Sequence, residues 1–259
     1  MKPALSFEAV YGSHNYKLNR PDSDVDMMYY YNPSFKDLYN GKQAEDNIQD
    51  GSTDRKHHDV RKLPNLFYKA NVNFLEILFS CSVIHYDGLY DLLAAIREEI
   101  SSMNIPYLYE GCMGMYKRNY RNFQRDSHYV SPEDFKDPEL NQIKARKHAS
   151  SAYRITDFMK RYANQGFKDF AKAIAYDPQA NTDKVFIDSY MAMRDGKYSH
   201  VEMCEILKNQ ETMAEELKGY FKEQKVKEDV NKYVIEIVEK HVREQLTLEL
   251  SKICENGTV

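Results

Sequence analysis

Tryptophan is absent from this 259-residue chain, and cysteine is sparse. The four cysteines, Cys81, Cys112, Cys204 and Cys254, are far apart in sequence. No Cys-x-x-Cys occurs, which excludes a zinc knuckle and a paired redox motif. No apolar run approaches the roughly 18 residues of a membrane-spanning helix. Residues 1–10 hold no long apolar stretch of the secretory type. The expectation is a reduced, cytoplasmic protein with no membrane partner. An excess of positive charge is also missing. Lys and Arg number 36 against 40 Asp and Glu, a formal net charge of −4. No global field draws in nucleic acid, so any polyanion site has to be a local patch.

Hydrophobic residues make up 42% of the chain, enough to bury one large core or two modest ones. Residues 5–11 (LSFEAVY) and 24–31 (DVDMMYYY) read as strands, ended by Gly12 and by Asn32-Pro33. Between them lie a short helical stretch, 13–18, and a turn, Arg20–Ser23. Residues 41–53 are polar and read as a loop, and a third strand is expected within 53–58. A helix is expected from Val60 to Ala70 with Asp59 as its N-cap. Pro64 fits there only in the first turn or at a kink. The segment VNFLEILFS, 72–80, is apolar enough to be buried, but its periodicity does not decide between helix and strand. From about residue 86 the apolar spacing is helical, with loops at 126–138 and 176–184. The expected class is α+β, with a mixed sheet and helices over 1–85 and a mostly helical region over 86–259.

The densest chemistry lies in AVYGSHNYKLNRPDSDVDMMYYY, residues 9–31. Two carboxylates at i and i+2 on a strand, Asp24 and Asp26, share a face and repel each other. A divalent cation between them removes that cost. Mg²⁺ favours one or two carboxylates together with water and substrate phosphate oxygens. A paired-metal arrangement can clamp both the attacking and the leaving oxygen of a phosphoryl transfer. Gly12 allows close backbone approach to a phosphate, and Ser13 offers a hydroxyl and an N–H at the start of a helical turn. Triphosphate on Gly12 and Ser13 with metal on Asp24 and Asp26 is one coherent site. Asp22 is read as a turn residue.

The stretch YGSHNYKLNRPDSDVDMMY resembles the Gly-Ser and Asp-hydrophobic-Asp signature of the DNA polymerase β superfamily of nucleotidyltransferases. HDVRKLPNLFYKANVNFLEILFS, 58–80, is similar to a segment of one branch, the predicted nucleotidyltransferases associated with RNA repair. YEGCMGMYKRNYRNF, KARKHASSAYRI and MRDGKYSHVEMCEIL resemble that branch's helical half, so the likeness runs to about residue 218. It departs at Asn71-Val72-Asn73, His58 and Ser151.

The resemblance implies a nucleotidyltransferase using Mg²⁺ or Mn²⁺ and a nucleoside triphosphate. Gly12 and Ser13 would take the β- and γ-phosphates, and Asp24 and Asp26 the metal. A third carboxylate is implied on the next strand. Asp54 and Asp59 are its candidates, with Glu76 behind them. Otherwise Asp59 is an N-cap, and Glu76 is a buried carboxylate that needs an Arg or Lys nearby.

Cations for the leaving pyrophosphate are sought in residues 141–172, where eight basic residues stand against two acidic. Lys147 and Arg154, seven apart on one helix face, are singled out. In MYKRNYRNFQR, 115–125, Tyr116, Tyr120 and Phe123 interleave with Lys117, Arg118, Arg121 and Arg125. That pattern reads either as a core stripe or as a stacking surface for an RNA end. The favoured acceptor is RNA, with tRNA the leading case. A catalytically silent nucleotide- or RNA-binding module, and a toxin-type enzyme acting on a protein or tRNA, are the alternatives.

Overall fold

The computed structural model describes residues 4–43, 45–50, 53–127 and 138–255; for 45–50, 53, 54 and 138 it describes the backbone alone. The chain divides into two compact units, one of residues 1–104 with 226–259 and one of residues 105–225. The break falls at 104/105 where composition places it near 85, and the C-terminal segment returns to the first unit.

In the first unit, β1 (Ala4–Tyr11) leads into α1 (Ser13–Tyr16), then β2 (Asp26–Asn32), α2 (Phe35–Tyr39), β3 (Glu45–Asp50) and β4 (Thr53–Asp59). A 3-10 turn at Val60–Lys62 follows, then α3 (Leu63–Tyr68), α4 (Val72–Leu75) and a second 3-10 turn, Glu76–Phe79. β5 (Val83–His85), α5 (Leu89–Ala94) and α6 (Arg97–Ser101) complete this stretch. Among the described residues five strands form one sheet in the order β3-β4-β2-β1-β5. β1 is antiparallel to β2 and β5, β2 is parallel to β4, and β3 is antiparallel to β4. The mixed sheet makes the class α+β.

Several elements differ from their expectations for local reasons. β2 begins at Asp26 because the preceding turn is closed on itself. Ser23 N–H donates to the Arg20 carbonyl at 3.0 Å, and Arg20 N–H donates to Ser23 Oγ at 2.7 Å. Asp24 therefore precedes the strand. The stretch read as a loop at 41–53 contains β3. Its sequence, EDNIQD, has no apolar alternation, which an edge strand tolerates because it pairs on one side only. Pro64 sits in the first turn of α3, where its missing N–H costs nothing. The ambiguous segment 72–80 is α4 followed by the 3-10 turn.

One sheet face is the core of this unit. Phe7, Ala9, Met28 and Tyr30 are all buried. Phe7 stacks on Tyr30 at 4.5 Å and meets Tyr90 of α5 at 5.3 Å. The opposite face carries Glu8, Tyr29, Tyr31 and His57, all partly exposed.

The second unit contains α7 (Ile105–Ser127), α8 (Pro138–Asn164), α9 (Phe170–Ile174), α10 (Asn181–Arg194), α11 (His200–Glu216) and α12 (Lys218–Lys222). The expected loop at 126–138 lies mostly outside the described residues. Tyr116 and Phe123 are fully buried, and the Tyr116 hydroxyl donates to the Leu207 carbonyl at 2.9 Å. Tyr116 and Phe123 of the α7 stripe are core, and Tyr120 is partly exposed.

The long C-terminal helix α13 (Glu228–Glu255) belongs to the first unit and packs on α3, α5 and α6. Val234, Ile237, Val238, His241 and Val242 form its buried side. His241 Nε2 lies 3.0 Å from Asn32 Oδ1 and 3.3 Å from Asp87 Oδ2. Asp87 also accepts from Ser6 Oγ and Asn32 Nδ2, each at 2.8 Å, and from Leu89 N–H at 3.1 Å. Burial raises the Asp87 carboxyl, but the bonds from His241, Asn32, Ser6 and Leu89 outweigh it and hold its pKa below the ordinary value. Its contribution is present above the ordinary Asp range and lost as pH falls through the depressed value.

His241→Ala should lower the urea unfolding free energy by about 1–3 kcal/mol, since it leaves buried partners unmatched. Asp87→Asn should flatten the acid limb of the stability profile, measured by thermal melts across pH. An unchanged acid limb would show that Asp87 does not carry it.

Candidate active site

The Gly-Ser turn between β1 and α1 is fixed from behind by Glu76. This carboxylate is fully buried. Its Oε2 accepts from Gly12 N–H at 3.1 Å and Asn15 Nδ2 at 3.2 Å, and its Oε1 accepts from the Tyr16 hydroxyl at 2.6 Å. Asn15, also buried, donates to the Glu76 carbonyl at 3.2 Å and accepts from Cys81 N–H at 2.9 Å. Ser80 Oγ donates to the Val10 carbonyl at 2.6 Å, and Val10 N–H to the Ser82 carbonyl at 3.0 Å. The segment 76–82 thus clasps the end of β1 and the whole of α1. Residue identity alone suggested a cation near Glu76. The donors that meet it include a backbone N–H, an amide and a phenol of the turn itself.

Gly12 has φ +78° and ψ −145°, a conformation that L side chains rarely adopt. A Cβ built there would lie 2.7 Å from Asp26 Oδ2. The absent side chain is what lets the Asp26 carboxylate stand against the turn. Asp26 pairs with Tyr11 at the start of β2 and is partly exposed. Asp24 is exposed in the loop before it. That loop is tied to α1, because His14 Nε2 lies 3.2 Å from the Ser23 carbonyl oxygen. The folded chain therefore brings Gly12 and Asp26 together and bonds α1 to the residue before Asp24. Ser13 opens α1 and is partly exposed.

The parallel ladder separates the two strand carboxylates. Met27 pairs with Arg55 and Tyr31 with Asp59. Asp54 occupies the position before Arg55, as Asp26 does before Met27, so the two stand at the same end of adjacent strands. The side chain of Asp54 lies outside the described residues. Asp59 is five positions further along, about 16 Å at the usual strand rise. Its register partner, Tyr31, alternates with Met28 and Tyr30, so Asp59 is directed to the face opposite Asp26. There it is engaged by Arg61: backbone N–H to Oδ1 at 2.9 Å, Nε to Oδ1 at 2.8 Å and Nη2 to Oδ2 at 2.7 Å. Asp59 is the N-cap of the 3-10 turn.

Lys56 pairs with Met28, and so lies on the Asp26 face. Its Nζ sits 4.7 Å from the centroid of the Tyr11 ring. No motif flagged this lysine; its position two residues after Asp54 on the expected third strand was the available signal. Asn15 and Tyr16 were missed for a plainer reason, since nothing local in SHNY marks a partner sixty residues away. Among the described residues no three His, Cys, Asp or Glu side chains converge as a metal site.

The remaining candidates lie in the helical unit. Lys147 of α8 is exposed. Arg154, seven residues on, is 6% exposed, near enough to Cys112 and Tyr176 to pull both their pKa values down, against the dominant effect of burial, which raises them.

A family model described as RNA repair pathway DNA polymerase beta family matches residues 3–175. The chain belongs to that family. The match takes in the Gly-Ser turn, both aspartates of β2 and its approach, β4, Glu76, and α8 with Lys147 and Arg154. The RNA repair pathway polymerase β family thus accounts for the sheet and for the first part of the helical unit. A nucleotidyltransferase-like protein from Exiguobacterium sibiricum 255-15 is similar in structure at 9% identity, over 85% of this chain and 72% of that one, with a TM-score of 0.34. No curated protein matches the chain. No helix among the described residues is long and apolar enough to cross a membrane.

Glu76→Ala should destabilise the protein by about 2 kcal/mol or more, because it strands buried donors. Glu76→Gln, which keeps an acceptor for Gly12, should cost less. Urea unfolding of the two variants measures the difference, and equal losses would count against hydrogen-bond acceptance as Glu76's role.

Proposed function

We propose that the chain is a metal-dependent nucleotidyltransferase that moves a nucleoside monophosphate from a nucleoside triphosphate to a hydroxyl of RNA. The observation that carries this reading is the Asp26 carboxylate held against Gly12, in space that any Cβ would fill. A carboxylate set directly beside a phosphate-sized backbone turn is the arrangement that phosphoryl transfer needs.

The donor set fits a hard divalent ion. Asp24 and Asp26 offer carboxylate oxygens, the ligands that Mg²⁺ and Mn²⁺ prefer. When bound, such ions neutralise charge on the phosphates and lower the pKa of an attacking hydroxyl. The chain's own groups do the rest. Gly12 and Ser13 seat the β- and γ-phosphates through the Ser13 hydroxyl and the backbone of the turn. Asp54 takes the proton from the acceptor hydroxyl, because its strand position lies beside Asp26. The acceptor oxygen forms a bond to the α-phosphorus as the bond from that phosphorus to the bridging oxygen breaks. Pyrophosphate departs with that oxygen, and Lys56, on the same sheet face, supplies a positive charge to it. Asp59, committed to Arg61, serves the fold. The RNA acceptor is supported by the family's tie to RNA repair.

The test is transfer of label from each α-³²P triphosphate onto tRNA or a short RNA, with Mg²⁺ or Mn²⁺. Asp24→Asn and Asp26→Asn should abolish transfer while melting like wild type. Asp54→Asn should lower kcat by about a hundredfold or more. Asp59→Asn should keep most activity and lose stability instead. Full activity of Asp54→Asn with loss in Asp59→Asn would reverse the assignment. Label on no RNA with any triphosphate would remove the RNA acceptor.

A further inference from the structure

The helical unit carries a concentration of positive charge that the proposed chemistry does not use. Between Lys117 and Asp126 on α7, and between Glu139 and Ser151 on α8, seven basic residues stand against two acidic ones. The chain as a whole is net negative at −4, so this is a local reversal of sign. α7 and α8 pack antiparallel, since Asn119 meets His148 at 3.3 Å while Cys112, earlier on α7, lies near Arg154, later on α8.

On α7 the residues Lys117, Arg118, Arg121 and Arg125 recur at three- and four-residue spacing on the exposed side, opposite buried Tyr116 and Phe123. On α8, Lys144 and Lys147 are exposed and adjacent by the same rule. His148, partly buried between the helices, reports how these charges gather. Burial lowers its pKa, Asp126 at 3.5 Å raises it, and Arg125, Lys147 and Arg118 all lower it. Arg118 and Arg125 of α7 and Lys147 of α8 therefore gather around the same His148, at the seam where the two helices meet.

Some exposed cations on other helices are matched within their own helix. On α13, Arg243 pairs with Glu239 at 3.0 Å and Lys240 with Glu244 at 4.0 Å; on α10, Lys184 pairs with Asp188 at 3.1 Å. Among the described residues, Lys117, Arg118, Arg121, Lys144 and Lys147 have no carboxylate within ion-pair distance. Arg125 alone has one, Asp126 at 2.7 Å. A surface that gathers like charges at a cost in repulsion, and omits the compensating acids found on other helices, is suited to a polyanion. Three of the groups are guanidinium, which meets phosphate oxygens in pairs. From Lys117 to Arg125 the row is about 12 Å long at the helical rise, enough to span two or three successive phosphates.

We propose that this α7–α8 surface binds the phosphate backbone of the RNA acceptor. The proposal rests on the RNA reading above and adds to it a surface of the helical unit that grips the RNA backbone. Arg118, Arg121 and Lys144 are the residues to reverse, since all three are exposed and lack ion-pair partners among the described residues.

The experiment is fluorescence anisotropy of a labelled RNA oligonucleotide against the full chain, without triphosphate or metal, from 50 to 300 mM salt. Wild type should bind with affinity that falls steeply as salt rises. Arg118→Glu/Arg121→Glu/Lys144→Glu should bind at least about tenfold more weakly at 0.1 M salt, with a salt slope shallower by about two. The same charge change at Lys184, Lys240 and Arg243 should leave affinity within about twofold. Circular dichroism confirms folding, and an Arg118→Gln/Arg121→Gln/Lys144→Gln variant answers the same question if the reversal does not fold.

Equal affinity in wild type and both triple variants would overturn the surface and leave the RNA reading to the transfer assay. Equal loss in both reversals would also overturn it, by showing dependence on net charge alone. Displacement of RNA by polyglutamate at matched charge would point to an acidic protein partner instead. Absence of RNA binding by wild type at 50 mM salt would overturn the surface, and label transfer to RNA would still decide the acceptor independently.

Discussion

The Glu76 carboxylate, sealed from water, accepts hydrogen bonds from Gly12, Asn15 and Tyr16, and the first unit is arranged around that fact. Burying a carboxylate costs several kcal/mol unless donors meet it. Here the named donors fall within five consecutive residues, 12–16, so meeting the carboxylate and shaping the turn are one event. With Gly12 N–H directed at Glu76, the glycine is held at positive φ, and its bare α-carbon faces Asp26. Asn15 in turn reaches Cys81, so the strand, the turn and the segment 76–82 share one hydrogen-bonded frame.

The same arrangement gives the turn an unusual electrostatic setting. The buried Glu76 lies behind it, and the Asp26 carboxylate stands against its front. In the proposed reaction a bare triphosphate would meet repulsion from Asp26, whereas one accompanied by divalent cations would not. Lys56, poised over Tyr11, brings a positive charge to that face. In the proposed reaction the site thus discriminates by charge state before any base is read. The helical unit has the reverse character on its α7–α8 surface. In the proposed scheme the first unit takes the triphosphate together with its cations, and the α7–α8 surface takes the RNA backbone.

Much of the fold was legible in local pattern. The strands around Gly12 and Asp26, the third strand, the Asp59 cap and the long helices after residue 86 follow from alternation, turn chemistry and helical spacing. β3 was not legible, because an edge strand needs only a partner and EDNIQD carries no buried alternation to mark it. The return of α13 to the first unit was not legible either, since apolar periodicity shows that a face is buried and not what it meets. For the candidate site, Gly12, Ser13, Asp24 and Asp26 stand in one short motif and could be named together. The choice among Asp54, Asp59 and Glu76 could not be made there. The proposed choice of Asp54 rests on the parallel register of β2 and β4, which turns Asp59 to the other face, and on a contact between residues 12 and 76. Lys147 and Arg154 share a helix face by spacing, yet one is exposed and the other buried, a difference made by which helices pack along α8.

The seating of His241 against Asn32 and Asp87 has a consequence for the order of events during synthesis. Every strand of the sheet emerges before residue 86, but the helix that completes that unit emerges only after residue 227. The helical unit, contiguous from 105 to 225, is whole before its host is. A growing chain therefore holds a sheet with an uncovered flank, including the Ser6–Asn32–Asp87 cluster, through the manufacture of more than a hundred intervening residues. Chains released early would carry Asp24, Asp26 and the Gly-Ser turn, yet lack the contact that closes the unit around them. Completion of the candidate site's scaffold is thus tied to completion of the chain.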